Sequence, residues 1–290
     1  MNDQPWTIQR LLDWTTQFFK DKAMEGARLD AEVLLAACLD CPRIQLYTRF
    51  DEVVSDDLRS EFRDKVKRHA TGEPVAYLVG HREFYSLDFQ VNSNVLIPRP
   101  ETEHLVIEAL DRFESRRSEP LRLCDVGTGS GIVAICLAKY LPQARIVALD
   151  ISPDALEVAK ANAAAHKVED RIDFRDSDLL AAVNGETFDA IVSNPPYVSN
   201  SEMEQVERSV KDFEPHLALV GAGEDGGQTT RQLMDQSPSL LTEDGFILVE
   251  TSPMLAGSLR DYATTKAGFA SSGIIKDMAG LDRVVWANRK

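Results

Sequence analysis

From residue 120 onward, short apolar runs alternate with segments of helical periodicity, and this alternation limits the possible folds. Strands are predicted at LRLCDVG, RIVALDI, IDFRDSD, FDAIVSN, GFILVET and RVVWANR. Helices are predicted between them, including GIVAICLAKYL and SPDALEVAKANAAAH. Strands that alternate with helices form a mostly parallel sheet that helices cover on both faces. The sequence therefore predicts an α/β fold of the Rossmann-like kind in this part of the chain.

The first predicted strand ends in a glycine-rich loop with Gly127, Gly129 and Gly131. Glycine lets a backbone turn sharply and approach a ligand closely. A dinucleotide-binding fingerprint would need a third glycine at position 132, where Ile132 stands, and the lysine of a phosphate-binding loop is missing as well. The loop therefore favours a ligand that carries neither a pyrophosphate nor a triphosphate.

An acidic residue accompanies each of the first three predicted strands: Asp125, Asp150 and Asp178. A carboxylate in the position of Asp150 can accept hydrogen bonds from both hydroxyls of a ribose. Asp178 can accept one from an adenine amino group, and Leu179 can pack on the ring. The charge of Asp125 favours a cationic ligand. S-adenosylmethionine has a ribose, an adenine and two cationic groups but no phosphate, so the pattern predicts it as the cofactor.

The fourth predicted strand ends in Asn194, Pro195, Pro196 and Tyr197. The side-chain oxygen of Asn194 and the backbone carbonyl of Pro195 can together accept both hydrogens of a planar NH2 group. The prolines fix the backbone, so these acceptors are held rigidly, and Tyr197 can stack on the flat face of the same group. The motif predicts methylation of an amide or base nitrogen, and by itself it leaves adenine, cytosine, guanine and glutamine open.

The N-terminal part has a different pattern, because residues 7–75 alternate helical stretches with short breaks. We predict a small bundle of four or five helices over residues 1–75, which serves as a substrate-docking domain. Residues 76–98 alternate apolar and polar side chains and contain the turn sequence NSN at 92–94, so a β-hairpin linker is predicted there. The catalytic domain then extends over residues 99–290.

Composition limits the partners of the chain. Its 290 residues have a formal net charge of −15, and residues 76–290 hold 21 Lys/Arg against 33 Asp/Glu. An acidic body repels phosphate backbones, so stable nucleic-acid binding is not expected. Apolar runs long enough to span a membrane and the profile of a signal peptide are both missing. The cysteines and histidines lack metal-ligand spacing. We therefore expect a cytoplasmic monomer without a metal.

Several longer motifs carry a family resemblance. The segments REFYSLDFQVNSNVLIPRPETE, DVGTGSGIVAI, VSNPPY, EPHLALVGAGEDG and KDMAGLDRVV resemble the HemK-type (PrmC-type) protein glutamine methyltransferases. The resemblance covers most of residues 70–290, and the N-terminal helices are similar in size and pattern to the helical domain of that family. It implies methyl transfer from S-adenosylmethionine to the side-chain amide nitrogen (N5) of the glutamine in the Gly-Gly-Gln motif of class I peptide release factors.

The resemblance also implies the roles of individual residues. It places the cofactor against Thr102, Asp125, Gly127, Thr128, Gly129, Ser130, Gly131, Asp150, Asp178, Leu179 and Asn194. It places the substrate amide against Asn194, Pro195, Pro196 and Tyr197, with catalytic roles for Asn194, Pro195 and Tyr197. Other functions stay open: glutamine methylation of a ribosomal protein, methylation of a base such as adenine at N6, and a non-catalytic cofactor-binding scaffold.

Overall fold

The computed structural model describes residues 5–289, which divide into two compact units. The first unit comprises the chain up to His81 together with Glu207–Phe213. The second unit comprises Arg82–Val206 and the chain from Glu214 onward. The boundaries predicted at residues 75 and 98 do not include the second segment of the first unit, because a contribution from so far along the chain leaves no local sequence signal.

The first unit is helical. Its N-terminal segment forms α1 (Ile8–Asp21), α2 (Ala27–Cys38), α3 (Arg43–Thr48), α4 (Asp56–His69) and α5 (Val75–Val79). Thr7 and Ser55 cap α1 and α4, since their side-chain oxygens accept hydrogen bonds from backbone N–H groups of the first helical turn. The apolar faces of these helices enclose one core, which includes Leu12, Phe19 and Leu35. The predicted N-terminal helical bundle is confirmed.

A β-hairpin follows, but its position corrects the prediction over residues 76–98. The strands are β1 (His81–Phe84) and β2 (Leu87–Gln90). The turn lies at Tyr85 and Ser86, whose φ angles of 49° and 58° are those of a type I′ turn; it does not lie at the NSN sequence. Residues 76–79 belong to α5, because Pro74 starts a helical turn and Gly80 ends it with a φ of 83°.

The second unit is built on a sheet of seven strands. They are β3 (Arg122–Val126), β4 (Arg145–Asp150), β5 (Ile172–Asp176), β6 (Phe188–Ser193), β7 (Leu241–Glu250), β8 (Ser271–Lys276) and β9 (Asp282–Asn288). Their order across the sheet is β5-β4-β3-β6-β7-β9-β8. The first five are mutually parallel, and β9 is antiparallel to both of its neighbours. The predicted mostly parallel sheet is confirmed, with β8 added at one edge.

Helices cover both faces of this sheet. They are α6 (Glu103–Arg112), α7 (Ile132–Tyr140), α8 (Pro153–His166), α11 (Gln228–Gln236) and α12 (Pro253–Thr265). Two four-residue helices lie between β6 and β7: α9 (Arg208–Lys211), which belongs to the first unit, and α10 (His216–Leu219). Successive residues of β3 enter different cores: Leu123 belongs to the cluster on one face and Cys124 to the cluster on the other. This double burial explains why the central strands are almost continuously apolar.

The strand order reverses between β3 and β6, which lie side by side at the centre of the sheet. In open α/β sheets, ligands bind beyond the carboxyl ends of the strands at such a switch point. The buried Ser193 hydroxyl donates a 2.7 Å hydrogen bond to the backbone oxygen of Val126 and joins the two strand ends. The glycine-rich loop after β3 and Asn194 after β6 therefore border the same crevice.

Candidate active site

A cavity of about 490 Å³ lies at this switch point within the second unit. Twelve of the predicted site residues line it: Thr102, Asp125, Gly127, Thr128, Gly129, Ser130, Asp150, Asp178, Leu179, Asn194, Pro195 and Pro196. Gly131 and Tyr197 do not line it. Residues that are distant in sequence thus come together around one cavity of a size suited to a nucleoside-like ligand.

The glycine-rich loop is organised by its own hydrogen bonds. Its three glycines have positive φ angles of 70°, 55° and 84°, which side chains other than glycine rarely adopt. Gly127 and Thr128 donate their N–H groups to the backbone oxygen of Leu149. The Gly129 N–H donates to the Asp150 carboxylate at 2.8 Å. Phosphate-binding loops need free N–H groups, so this arrangement agrees with the prediction that the ligand lacks phosphate.

Asp125 places a carboxylate at the base of the cavity, only 2% exposed. Its Oδ2 accepts hydrogen bonds from the Thr128 hydroxyl at 2.7 Å and from the Ala134 N–H at 3.1 Å. Burial and, less strongly, the nearby Asp150 carboxylate raise the pKa of Asp125 to about 7, although the two hydrogen bonds oppose the rise. A cationic ligand in the cavity would offset this burial cost.

Asp150 ends β4 with both carboxylate oxygens fixed. Oδ2 accepts from Gly129 and Oδ1 accepts from the Ser152 N–H at 2.9 Å. Burial raises the pKa of Asp150, and these backbone hydrogen bonds oppose the rise. Each carboxylate oxygen has a second lone pair that remains available for a ligand hydroxyl. Asp178 and Leu179 contribute exposed and half-buried side chains to the same cavity.

Asn194 has a defined amide orientation. Its Nδ2 donates a 3.1 Å hydrogen bond to Oγ1 of Thr102, a residue that is 1% exposed. The amide oxygen of Asn194 is thereby left as the acceptor for a partner in the cavity that both side chains line. Thr102 is predicted to meet the cofactor, and in the structure it also holds the side chain that is predicted to clamp the substrate.

Tyr197 is half-buried and does not line the cavity, and its stacking role stays a prediction. Its ring packs against the apolar core on one face of the sheet. Its hydroxyl donates a 3.3 Å hydrogen bond to Oε1 of Glu250, which is 1% exposed. Sequence reasoning missed Glu250, although it ends the predicted strand GFILVET at the same sheet edge as the other acidic residues. Its partner Tyr197 lies 53 positions away, so no local pattern links the two.

The backbone of the Asn194–Tyr197 motif rests on a second loop. Val198 donates its N–H to the oxygen of Leu219, and Gly221 donates to the oxygen of Val198, both at 3.0 Å. Gly226, with a φ of 77°, lies directly against the backbone oxygen of Tyr197 and leaves no space for a side chain. The segment GAGEDG, which ends the motif EPHLALVGAGEDG quoted above for its family resemblance, therefore supports the backbone of the Asn194–Tyr197 motif.

Gly226→Ala is expected to displace the motif, because an added Cβ would collide with the Tyr197 carbonyl. Gly268→Ala is the matched control, since Gly268 has a similar φ of 84° with no atom within 4 Å of an added Cβ. Both variants carry left-handed strain, but Gly226→Ala should lose a further ~1–3 kcal/mol of unfolding free energy from overpacking. Denaturant unfolding measures this difference, and equal losses would contradict the supporting role.

Arg99 lines the cavity, and a buried acid outside the lining, Glu214, holds it in place. The Arg99 guanidinium bonds the Glu214 carboxylate at 2.5 Å, and the second oxygen of Glu214 accepts from the Ile97 N–H at 3.1 Å. Sequence reasoning named neither, although both lie in motifs that carry the family resemblance, PRPETE and EPHLALVGAGEDG. Within residues 5–289, His, Cys, Asp and Glu side chains form no cluster suited to a metal ion. No helix in that range is long and apolar enough to cross a membrane.

Comparison with known proteins decides the family. Residues 10–80 match the family described as the PrmC N-terminal domain, and residues 103–222 match the methyltransferase small domain. The release factor glutamine methyltransferase of Rhodopirellula baltica is 46% identical over 287 residues, which are 98% of this chain and 97% of the relative. The chain belongs to the release factor glutamine methyltransferase family. This confirms the resemblance and identifies the protein as a methyltransferase.

Two further comparisons support this assignment to the release factor glutamine methyltransferase family and its fold. The enzyme of that name from Koribacter versatilis is 40% identical over 280 residues, which are 96% of this chain and 97% of the relative. A solved methyltransferase from Pyrococcus furiosus matches with a TM-score of 0.52 at 16% identity and covers 78% of this chain and 98% of that one. At that identity the structural match supports the methyltransferase fold alone.

Proposed function

We propose that this methyltransferase transfers a methyl group from S-adenosylmethionine to the N5 amide nitrogen of the glutamine in the Gly-Gly-Gln motif of class I peptide chain release factors. The observation that carries the proposal is the orientation of Asn194. With its NH2 group bonded to Thr102, its amide oxygen remains for a planar NH2 group in the cavity. The names of the relatives that match almost the whole chain support glutamine as the source of that group.

The cavity residues fit the proposed cofactor. The buried Asp125 carboxylate has a raised pKa, so it would gain from a cationic ligand. Asp150 keeps acceptor capacity for ribose hydroxyls, and Asp178 and Leu179 would meet the adenine. The glycine-rich loop donates N–H groups to Leu149 and Asp150, and this leaves fewer donors for a phosphate, as suits a ligand without one. When bound, S-adenosylmethionine supplies an electrophilic methyl group on a positively charged sulfur.

The residues of the motif act on the substrate by position. The Asn194 side-chain oxygen and the Pro195 carbonyl would accept the two hydrogens of the glutamine amide. An amide nitrogen is a weak nucleophile because its lone pair is delocalised, so orientation matters greatly. Well-oriented reactants can gain roughly 7–11 kcal/mol. The same two oxygens would stabilise the positive charge that develops on the nitrogen.

The net charge of the second unit and the names of the relatives support a protein as the partner. Residues 76–290 carry 12 more acidic than basic side chains, which weighs against a nucleic-acid substrate and its phosphates. A ribosomal protein glutamine remains the second candidate, because the same clamp would hold it. We infer that a release factor is the partner and that the first unit helps to dock it. We also infer that the enzyme acts as a monomer in the cytoplasm.

A labelling experiment tests the proposal directly. The protein is incubated with methyl-labelled S-adenosylmethionine and a mixture of a class I release factor, ribosomal proteins, DNA and RNA. We expect the label in the release factor, on the peptide that contains Gly-Gly-Gln, and expect it to vanish when that glutamine is replaced by glutamate. Label in the nucleic acids, or in ribosomal proteins alone, would overturn the proposed substrate.

A further inference from the structure

Two hydrogen bonds lead from the substrate-clamping motif into the protein interior. The Asn194 amide donates to Thr102 at 3.1 Å, and the Tyr197 hydroxyl donates to Oε1 of Glu250 at 3.3 Å. Both acceptors are only 1% exposed. A buried acceptor whose own position is fixed holds the side chain that donates to it in one orientation. The orientation of the motif is therefore set by Thr102 and Glu250.

The two acceptors, Thr102 and Glu250, also interact with each other. The Thr102 hydroxyl lies close enough to the Glu250 carboxylate to lower the pKa of that acid. Oε2 of Glu250 is buried and has no hydrogen-bond partner of normal geometry within residues 5–289. A buried carboxylate oxygen without a donor is costly. Oε2 is thus the natural acceptor for the Thr102 hydroxyl proton.

Glu250, Thr102 and Asn194 form a hydrogen-bond relay, and the direction in which its protons are donated decides which end of the Asn194 amide faces the substrate. A threonine hydroxyl has one proton. If Thr102 gives that proton to Glu250, its oxygen can only accept, and Asn194 must turn its NH2 group toward it. We propose that Glu250, acting through Thr102, is a positioning residue that directs the Asn194 oxygen at the substrate amide. This inference rests on the proposed function of Asn194 as the amide clamp.

Protonation of Glu250 would reverse the direction of donation in this hydrogen-bond relay. A protonated Oε2 donates to Thr102, and the Thr102 proton is then free to bond the Asn194 oxygen. The amide turns over, so its NH2 group meets the NH2 group of the substrate, and two donors cannot form a hydrogen bond. Since the Thr102 oxygen donates to Asn194 only in this reversed arrangement, the clamp works best while Glu250 is ionised.

The titration of Glu250 depends on its surroundings. Burial and, less strongly, the Glu101 charge raise its pKa to about 7, although Thr102, the Arg283 charge and the Tyr197 hydroxyl oppose the rise. Arg283 is itself bonded to Asp277 at 3.0 Å. Since the ionised form is the more active one, the rate of methyl transfer at saturating substrates should fall as the pH drops through about 7.

The test compares pH profiles of kcat for the whole protein with release factor and S-adenosylmethionine both saturating. Glu250→Gln cannot ionise, and its NH2 group mimics the protonated acid. We expect its kcat to lie about tenfold to a hundredfold below the high-pH wild-type value, as for a misplaced reacting group, with no inflection near neutral pH. Thr102→Val should likewise lower kcat and remove the inflection, and Thr102→Ser should recover most of both losses.

Glu32→Gln in the first unit is the matched control. Glu32 is 2% exposed and accepts a 2.5 Å hydrogen bond from the Tyr47 hydroxyl, so it shares the low exposure and the tyrosine partner of Glu250. Glu32 differs from Glu250 in being paired with Arg28 and Arg43, and it lies outside the cavity lining. It should keep the wild-type inflection. The inference is overturned if Glu250→Gln keeps that inflection, if Thr102→Val keeps the wild-type kcat, or if the wild type itself shows no inflection.

The experiment distinguishes a failure of the proposed substrate from a failure of the role inferred for Glu250. If the wild type modifies a different amino group, the same pH comparison is made on that acceptor, because the relay orients Asn194 toward any planar NH2 group. Thermal unfolding of each variant shows whether it folds. If Glu250→Gln does not fold, the Thr102→Val and Thr102→Ser pair decides alone, since threonine and valine have nearly the same shape.

Discussion

Asn194→Ala is expected to reduce methyl transfer by about a hundredfold to a thousandfold, the range seen when one preorganised polar group is removed from an active site. The variant loses the side-chain oxygen that would hold the substrate amide, while Asp125 and Asp150 still line the cavity. Affinity for S-adenosylmethionine should therefore change by less than about tenfold, or ~1.4 kcal/mol. Single-turnover kinetics measure the first quantity and titration calorimetry the second.

Asn184→Ala serves as the control for this variant. Asn184 is an exposed asparagine that donates a 3.1 Å hydrogen bond to the backbone oxygen of Ala181, and it does not line the cavity. It should transfer methyl groups at the wild-type rate. If Asn194→Ala turns over as fast as this control, the clamp assigned to Asn194 is wrong. If it loses cofactor affinity and rate in equal proportion, its role lies in cofactor binding instead.

Asp125→Asn should remove a pH dependence of cofactor binding. Because the pKa of Asp125 is raised to about 7, the wild-type group is ionised above that pH and neutral below it. A cationic cofactor binds the ionised form more tightly, so wild-type affinity should fall as the pH drops through about 7. The variant should bind about tenfold to a hundredfold more weakly at high pH, the size of a hydrogen bond to a charged group, and show no such fall.

The stability of the ligand-free protein should respond in the opposite sense. The folded state holds a proton on Asp125 more tightly than the unfolded state, since the folded pKa is raised. Its contribution to stability is therefore greatest in acid and declines as the pH rises toward about 7. Asp125→Asn should lack this decline and unfold at a higher temperature than the wild type above neutral pH. Asp261→Asn, at an exposed carboxylate outside the cavity lining, should change neither property.

Local patterns predicted the parts of the site that depend on neighbouring residues. The glycine-rich loop after β3 and the acid at the end of β4 follow from the strand–loop–helix pattern. The parallel sheet then brings the ends of β3 and β6 together, so Asn194 could be placed beside that loop without coordinates. Most of the twelve predicted residues that line the cavity follow these strand ends, whereas Thr102, which lies just before α6, was predicted from the family resemblance alone.

Long-range contacts account for what the sequence could not provide. Tyr197 bonds Glu250 across 53 positions, and Gly226 packs on the Tyr197 backbone from a separate loop; neither pairing leaves a periodic signal. The edge strand β8 is half-buried along nearly its whole length, so it lacks the alternation that identifies strands. The hairpin lies elsewhere than predicted because the apolar stretch of residues 76–79 fits a helical turn as well as a strand.

A structure of this protein with S-adenosylhomocysteine and a Gly-Gly-Gln peptide tests the central claim most directly. The glutamine amide nitrogen is predicted to lie within hydrogen-bonding distance of both the Asn194 side-chain oxygen and the Pro195 carbonyl, on the side of the cofactor sulfur. A glutamine bound elsewhere, or an amide nitrogen turned away from these two oxygens, would contradict it.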